Sequence, residues 1–434
     1  MYIAIIIGCL IVLMLLIAWI KLHPFLAFIL VALLAGWWLG LPVNLLMVSI
    51  KTGIGGLMGD LLLTIGLGAM LGKLIAETGA AQQIAQSLIQ LFGEKHLQWA
   101  MMLTGFVVGI PLFYNVGFIL LVPLVFSITY NSKLPIVYTA IPMLAALSVT
   151  HGFLPPHPSP LAISAQLNAN TGTVLLYGLL IAIPTVIIAG PLFATTLKKM
   201  EAKPLSIFEP KQIATELLPG KFNSFFSALL PAILMIVFAL FQFNEVSTGT
   251  MLKFWSDPSI VLLLSLTFAT ISLGIANKYS VKSIMQFFSD AIQEIAPILL
   301  IIAGAGALKQ VLTDSGISKQ IAQSIEHIAI HPLILGWLIA AIIRVCIGSA
   351  TVAALTAAGI MAPVLLSIPF NPNLMVLAIG AGSLMFSHIN DSGFWMFKSY
   401  FNLSIKDTLK SWSVMETIVS IIGLLGVLAL NSLL

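Results

Sequence analysis

The 434-residue sequence predicts an all-α polytopic membrane protein with two internal repeats, each holding a re-entrant or broken helix, and roughly 10–13 transmembrane spans. Three observations carry this. Hydrophobic residues make up 59 % of the chain and charged residues 8 %, against roughly a quarter charged in soluble domains. The apolar residues run continuously, as from Ile3 to Ile20, where barrel strands would alternate over about ten residues. Finally, matched motifs recur at constant spacing in the two halves.

Taken in order, the first apolar run lacks a basic flank and a small-residue cleavage site, so it reads as a retained helix rather than a signal peptide. Spans are predicted near 3–20, 24–40, 61–76, 100–130, 135–150, 173–197, 225–243, 258–276, 295–312, 333–365, 374–397 and 413–433. Two of these, 100–130 and 333–365, exceed one crossing of about 20 residues. Each is interrupted midway, by "GIPLFYNVG" (Gly109 to Gly117) and "CIGSATVAA" (Cys346 to Ala354). Non-helical backbone survives at membrane depth only where protein buries it or a cavity receives it. The breaks therefore point toward a transport site.

The connection 198–224 carries Lys198, Lys199, Lys203, Lys211 and Lys221 beside Glu201, Glu209 and Glu216, a lysine excess that favours the cytoplasmic side. It divides the chain into a first membrane half, 1–197, and a second, 225–434. These halves repeat. "ETGAAQQIAQS" from Glu77 matches "DSGISKQIAQS" from Asp314, an offset of 237 residues that also places Gly109 on Cys346, Pro135 on Pro372 and His151 on His388. Duplicated halves with paired broken helices are the sequence sign of a secondary transporter. Glu77-Thr78-Gly79 and Asp314-Ser315-Gly316 read as helix-end turns with glycine in the left-handed cap.

Net charge is +4 and the lysines fall between spans, so nucleic-acid binding is excluded. Cys9 and Cys346 lie in apolar runs and carry no functional argument. No cofactor is called for. A zinc site from His151, His157 and His388 is disfavoured, because their spacing matches no usual ligand pattern and no cysteine or acid pair accompanies them.

Arg344 is the chain's only arginine and sits inside an apolar run. A cation near a helix centre costs about 2.5–3.5 kcal/mol on insertion scales, so something must compensate it. It either snorkels or pairs with a carboxylate of its own chain, or its planar fork binds a substrate carboxylate. Gly348, Ser349 and Thr351 follow it, offering close backbone approach, free amides at a helix start and hydroxyl donors. In "MFSHINDSGFW", His388, Asn390, Asp391 and Ser392 close an uncharged run that begins at Val345. Asp391 is read as a helix cap near Lys398, or as a counter-ion for Arg344 or protonatable coupling group; His388 is a second candidate for the proton.

"HGFLPPHPSP", from His151, lies in a stretch without Asp, Glu, Lys or Arg from Leu134 to Leu197. Its prolines preclude a continuous helix. His151 and His157 either contact a polyol or relay protons, or bond backbone carbonyls in a rigid loop. Tyr114 and Asn115 mark the first break: Asn115 either satisfies freed backbone groups or bonds substrate hydroxyls.

On "HPFLAF", "GIPLFYNVGF", "ALSVTHGFLPPHPSP", "RVCIGSATVAALTAAGI", "IGAGSLMFSHINDSGFWMFKSYFNLS" and "KDTLKSWSVMETI", the chain resembles, over nearly its whole length, the gluconate permease family of proton-coupled sugar-acid transporters, within the ion transporter superfamily. The resemblance implies uptake of a sugar acid with protons across a bacterial inner membrane. By superfamily analogy it also implies a homodimer whose transport domains, each with two re-entrant hairpins, slide against a scaffold. Permeases for D-serine resemble the GSATVA segment but differ at the Arg344 position and lack "SHINDSGFW". Two positions depart from the family pattern: Ser159 stands where "PPHPGP" is usual, and Asn115 where many relatives carry glutamate. The resulting expectation is a proton symporter for gluconate or a close sugar acid. The rivals are a permease for another small carboxylate such as a D-amino acid, an intramembrane enzyme, for which no nucleophile–base motif is found, and a passive channel.

Overall fold

In the computed structural model, residues 2–132, 134–200, 202, 213–243, 250–316, 330–365 and 370–434 are described. The described residues contain helices and no strands. The first half runs through α1 (Tyr2–Met14), α2 (Pro24–Trp38), α3 (Val43–Glu77), α4 (Ala80–Phe92), α5 (Leu97–Gly109), α6 (Tyr114–Ser132), α7 (Ile136–Phe153), α8 (Pro158–Leu167) and α9 (Thr171–Ile187). The second runs through α10 (Lys221–Phe243), α11 (Thr250–Trp255), α12 (Pro258–Ala269), α13 (Val281–Asp314), α14 (Pro332–Ile347), α15 (Ala350–Leu365), α16 (Pro372–Gly382), α17 (Ser392–Tyr400), α18 (Ile405–Thr408) and α19 (Val414–Leu433). Seven helices among the described residues are long and apolar enough to cross a membrane, with six shorter apolar ones beside them.

Both interrupted spans break where expected, between α5 and α6 and between α14 and α15. Three other spans differ from their sequence expectation. Those at 61–76 and 295–312 are the inner parts of α3 and α13, of 35 and 34 residues. Lys51 and Asp60 on α3, and Lys282, Asp290 and Glu294 on α13, dilute the hydropathy of the remaining turns without breaking them. The span at 374–397 is not one crossing: α16 stops at Gly382, and a turn-rich connection leads to α17. Apolar composition conceals this break, because its cause is side chains such as Asp391 that bond backbone amides in place of helical partners.

α3 packs on α13 more extensively than any other two elements, and the two run antiparallel. Lys73 reaches Glu294 at 2.7 Å and the Glu77 carbonyl accepts from the Tyr279 hydroxyl at 3.3 Å. Farther along, Gly53 meets Gly306 so closely that a Cβ on either would strike the other's carbonyl oxygen. Small residues at such crossings replace the missing hydrophobic drive between membrane helices with backbone-to-backbone packing. The turns after both helices hold Gly79 and Gly316 in the left-handed region, at φ 81° and 68°. The rest of the second matching motif, from residue 317, lies outside the described residues, as do Glu201, Lys203, Glu209 and Lys211 of the connection.

α7 and α15 are buried on all sides, as expected of core helices. Around them α9, α10 and α12 expose large apolar residues at helical spacing, among them Leu180, Ile183, Ile233, Val237 and Leu263. An apolar core inside an apolar outer face is the pattern of a bundle in lipid. The two helix breaks thus sit against the central helices, sheltered from the lipid face.

Candidate substrate site

The first break occupies residues 110–113. Pro111 cannot donate to a helical ladder and disfavours helix at the residue before it. α5 therefore ends at Gly109, whose carbonyl accepts from His157 Nε2 at 2.6 Å. At the second break the Gly348 amide donates to the Arg344 carbonyl at 2.9 Å and closes α14. His388 Nε2 and Asn390 Nδ2 donate to the Val345 carbonyl at 2.9 and 2.8 Å, and Asn390 Nδ2 also to that of Cys346 at 3.2 Å. Cys346 is the register partner of Gly109, so each broken helix has its terminal carbonyl closed by a polar side chain.

Gly348 has φ 83°, and a Cβ there would collide with the Asn390 backbone. The left-handed conformation alone costs a residue with a side chain roughly 1–2 kcal/mol. Gly348→Ala is therefore expected to lower the melting temperature of the detergent-solubilised protein and to impair transport, because the collision displaces the connection that holds Asp391. Thermal melting with a transport assay checks this.

Between the breaks lies a cavity of about 240 Å³, close to the lower end of small-molecule pockets, roughly 300–1,000 Å³. Three helix starts reach it: Tyr114 and Asn115 from α6, Ser349, Ala350 and Thr351 from α15, and Ser392 and Gly393 from α17. Helix N-termini present free amides and a partial positive charge. Ser148 and His151 of α7, Arg344 and Gly348, Asp391, Trp412 and Glu416 complete the polar lining, with Ile298, Ile301 and Leu384 among the apolar walls.

Arg344 is 3 % exposed, and its Nη2 donates to Asp391 Oδ2. That oxygen also accepts from the Ser387 hydroxyl, while Oδ1 accepts from the Gly393 amide at 3.0 Å. Asp391 thus caps α17 and neutralises Arg344 at once. The network extends from Trp412 Nε1 to Ser387 Oγ at 2.7 Å and from the Ser413 hydroxyl to the Ser387 carbonyl. These bonds fix the guanidinium, leaving its Nε and Nη1 without protein partners.

Of the residues singled out in the sequence, the cavity gathers Arg344, Gly348, Ser349, Thr351, Asn115, Tyr114, His151, Asp391 and Ser392. It does not gather His157, His388 or Asn390, which tie the broken helix ends behind the wall. The His151 and His157 rings meet edge to face at 5.5 Å. Among the described residues no three His, Cys, Asp or Glu side chains come together as a metal-binding set. Sequence reading missed Ser148, Ser387, Trp412 and Glu416. For Glu416 a signal existed: it is the single acid in the apolar span at 413–433, and the rule that drew attention to Arg344 applies to it equally. Nothing in the sequence distinguishes the other three.

The chain also resembles characterised proteins. It is 47 % identical over 418 residues to the Gnt-II system L-idonate transporter of Escherichia coli K12, covering 95 % of each chain. With a high-affinity gluconate transporter of the same organism it shares 46 % identity over 98 % of each chain, and with the gluconate permease of Bacillus subtilis 168 it shares 44 % over 96 % of this chain and 97 % of that one. In fold it matches the Alcanivorax borkumensis YdaH transporter at TM-score 0.69 and 16 % identity, covering 95 % of this chain and 98 % of that one. Neisseria gonorrhoeae MtrF, described as one of a class of antimetabolite efflux pumps, matches at 0.69 and 15 %, covering 97 % of each. The model of the GntP family permease matches residues 1–434, and the chain belongs to that family.

Proposed function

We propose that this permease takes up gluconate or a closely related sugar acid together with protons across the bacterial inner membrane. The observation that carries the reading is the buried Arg344, whose unpaired Nε and Nη1 belong to a residue lining a cavity otherwise rich in hydroxyl, amide and imidazole groups. A guanidinium edge matches a carboxylate, and convergent polar groups match a polyol chain. Asn115, Tyr114, His151, Ser349, Thr351 and Ser392 engage the hydroxyls. The free amides at the starts of α6, α15 and α17 add favourable potential for an anion. His157, His388 and Asn390 act by holding the broken ends in place. The gluconate and L-idonate transporters among its relatives support the same substrate class.

The two halves, 1–197 and 225–434, act as inverted repeats joined by a cytoplasmic connection at 198–224, and two copies of the chain assemble as a homodimer. Support for inversion is the antiparallel course of α3 and α13, which the offset of 237 residues pairs. The lysines on the connection support its cytoplasmic placement.

The test is uptake of labelled gluconate into proteoliposomes with an imposed pH gradient. Unlabelled gluconate and L-idonate are expected to compete and D-serine is not. Uptake with one proton per anion is electroneutral and indifferent to voltage; a second proton would make each 100 mV worth about 2.3 kcal/mol. Absence of saturable sugar-acid uptake would overturn the reading.

A further inference from the structure

Glu416 lies in the first turn of α19, 2 % exposed, and lines the same cavity as Arg344. Its Oε1 accepts from the Ser148 hydroxyl at 2.7 Å, and its Oε2 has no protein partner. Arg344 does not serve as its counter-ion, since the guanidinium's protein partner is Asp391. The contrast between the two acids of the cavity is plain. Asp391 has three donors, one of them cationic; Glu416 has a single neutral one. A buried carboxylate with one hydrogen bond is poorly compensated and favours taking a proton.

We propose that Glu416 carries the coupled proton and that its protonation is what permits Arg344 to accept a substrate carboxylate. This rests on the reading of the site as one for proton-coupled uptake of an anion. Charge counting supplies the mechanism. Arg344 and Asp391 cancel, so the cavity carries the charge of Glu416 alone. Ionised, Glu416 repels an incoming carboxylate across the cavity. Once Oε2 takes a proton, the cavity is neutral and the unpaired Nε and Nη1 of Arg344 are open to the anion. On the far side the substrate departs, Glu416 releases its proton, and the site resets. Because coupling between two ligands is reciprocal, a proton that favours the anion is itself favoured by it.

The groups that face Glu416 fit this role. Tyr114 on α6 and His151 on α7 line the cavity with one unpaired polar atom each. Arg344 on α14 and Asp391 before α17 are paired with one another. α9 and α16, which also pack on α19, contain no charged residue. Among the cavity-lining residues Glu416 is therefore the one carboxyl without a cation of its own.

The experiment compares the parent protein with Glu416→Gln and Glu416→Asp, measuring gluconate affinity against pH, gradient-driven accumulation and exchange, and the infrared band of protonated carboxyl groups. In the parent, affinity is expected to weaken by about tenfold per pH unit above the titration of Glu416, and a gradient of one unit to drive accumulation of about tenfold. Glu416→Gln is expected to bind with an affinity that varies by no more than about twofold over the same range, to exchange independently of pH, and to accumulate nothing. The infrared band present at pH 6 in the parent should vanish in Glu416→Gln and shift in Glu416→Asp. Parent-like accumulation by Glu416→Gln, a retained pH slope, or an unchanged infrared band would overturn the proposal. Should Glu416→Gln fail to fold, the shift of the band in Glu416→Asp decides. Should the parent take up no sugar acid yet show the Glu416 band, the substrate assignment falls while the protonation of Glu416 stands.

Discussion

Arg344→Lys is expected to reduce gluconate uptake by about a hundredfold while the protein still inserts and folds. Lysine keeps the positive charge and can still reach Asp391, so the resting pair survives in reduced form. What it loses is the planar fork, through which Arg344 holds Asp391 with Nη2 while presenting Nε and Nη1 to the cavity. Hydrogen bonds to charged groups are worth about 1.5–3 kcal/mol each, and losing two with imperfect replacement costs about 3 kcal/mol, or two decades in affinity. Transport kinetics in proteoliposomes, beside the protein level in the membrane, check this. Parent-like uptake by Arg344→Lys would defeat the carboxylate-clamp assignment.

Asp391→Asn is expected to abolish uptake and also to destabilise the protein. The substitution keeps an oxygen for the Gly393 amide but removes the charge that neutralises a guanidinium 3 % exposed. Breaking a buried pair from one side costs about 3–5 kcal/mol, because the remaining charge is stranded. A fall of roughly 5–10 °C in melting temperature follows for a protein of this size. Ser387 and Trp412 then lose the acceptor that orders them. A double variant, Arg344→Met with Asp391→Leu, should regain much of the lost melting temperature without regaining uptake, since removing both charges removes the stranding. If Asp391→Asn melts like the parent and still accumulates substrate, Asp391 is not the resting counter-ion.

The sequence was legible where chemistry is local. Lone Arg344 and the paired glycine- and proline-bearing breaks announced themselves because charges and interrupted ladders are costly in lipid wherever they occur. The repeat register was equally visible, being a comparison of sequence with itself. Less legible was the split of the 374–397 span, since Ser383 to Asp391 leave the helical ladder through side-chain bonds to groups distant in the chain, such as Ser387 to Trp412 and His388 to Val345. Glu416 was overlooked because a single acid near a span end reads as an interface residue until its depth is known.

The amino-acid sequence by itself determined that this protein is a helical bundle in a membrane, that its helices break at two matched places, and that one guanidinium had to be compensated inside it. Composition and covalent constraint suffice for that: a bilayer core accepts helices alone from such a chain, proline cannot donate, and a buried charge needs a partner. Only the tertiary structure decided which partner. Asp391, 47 residues away, pairs with Arg344, while Glu416, from a different helix, shares the cavity but lacks a cation. Partner choice depends on distances of a few ångströms between segments far apart in the chain, set by how α7, α14, α17 and α19 pack together, and no local rule encodes that packing.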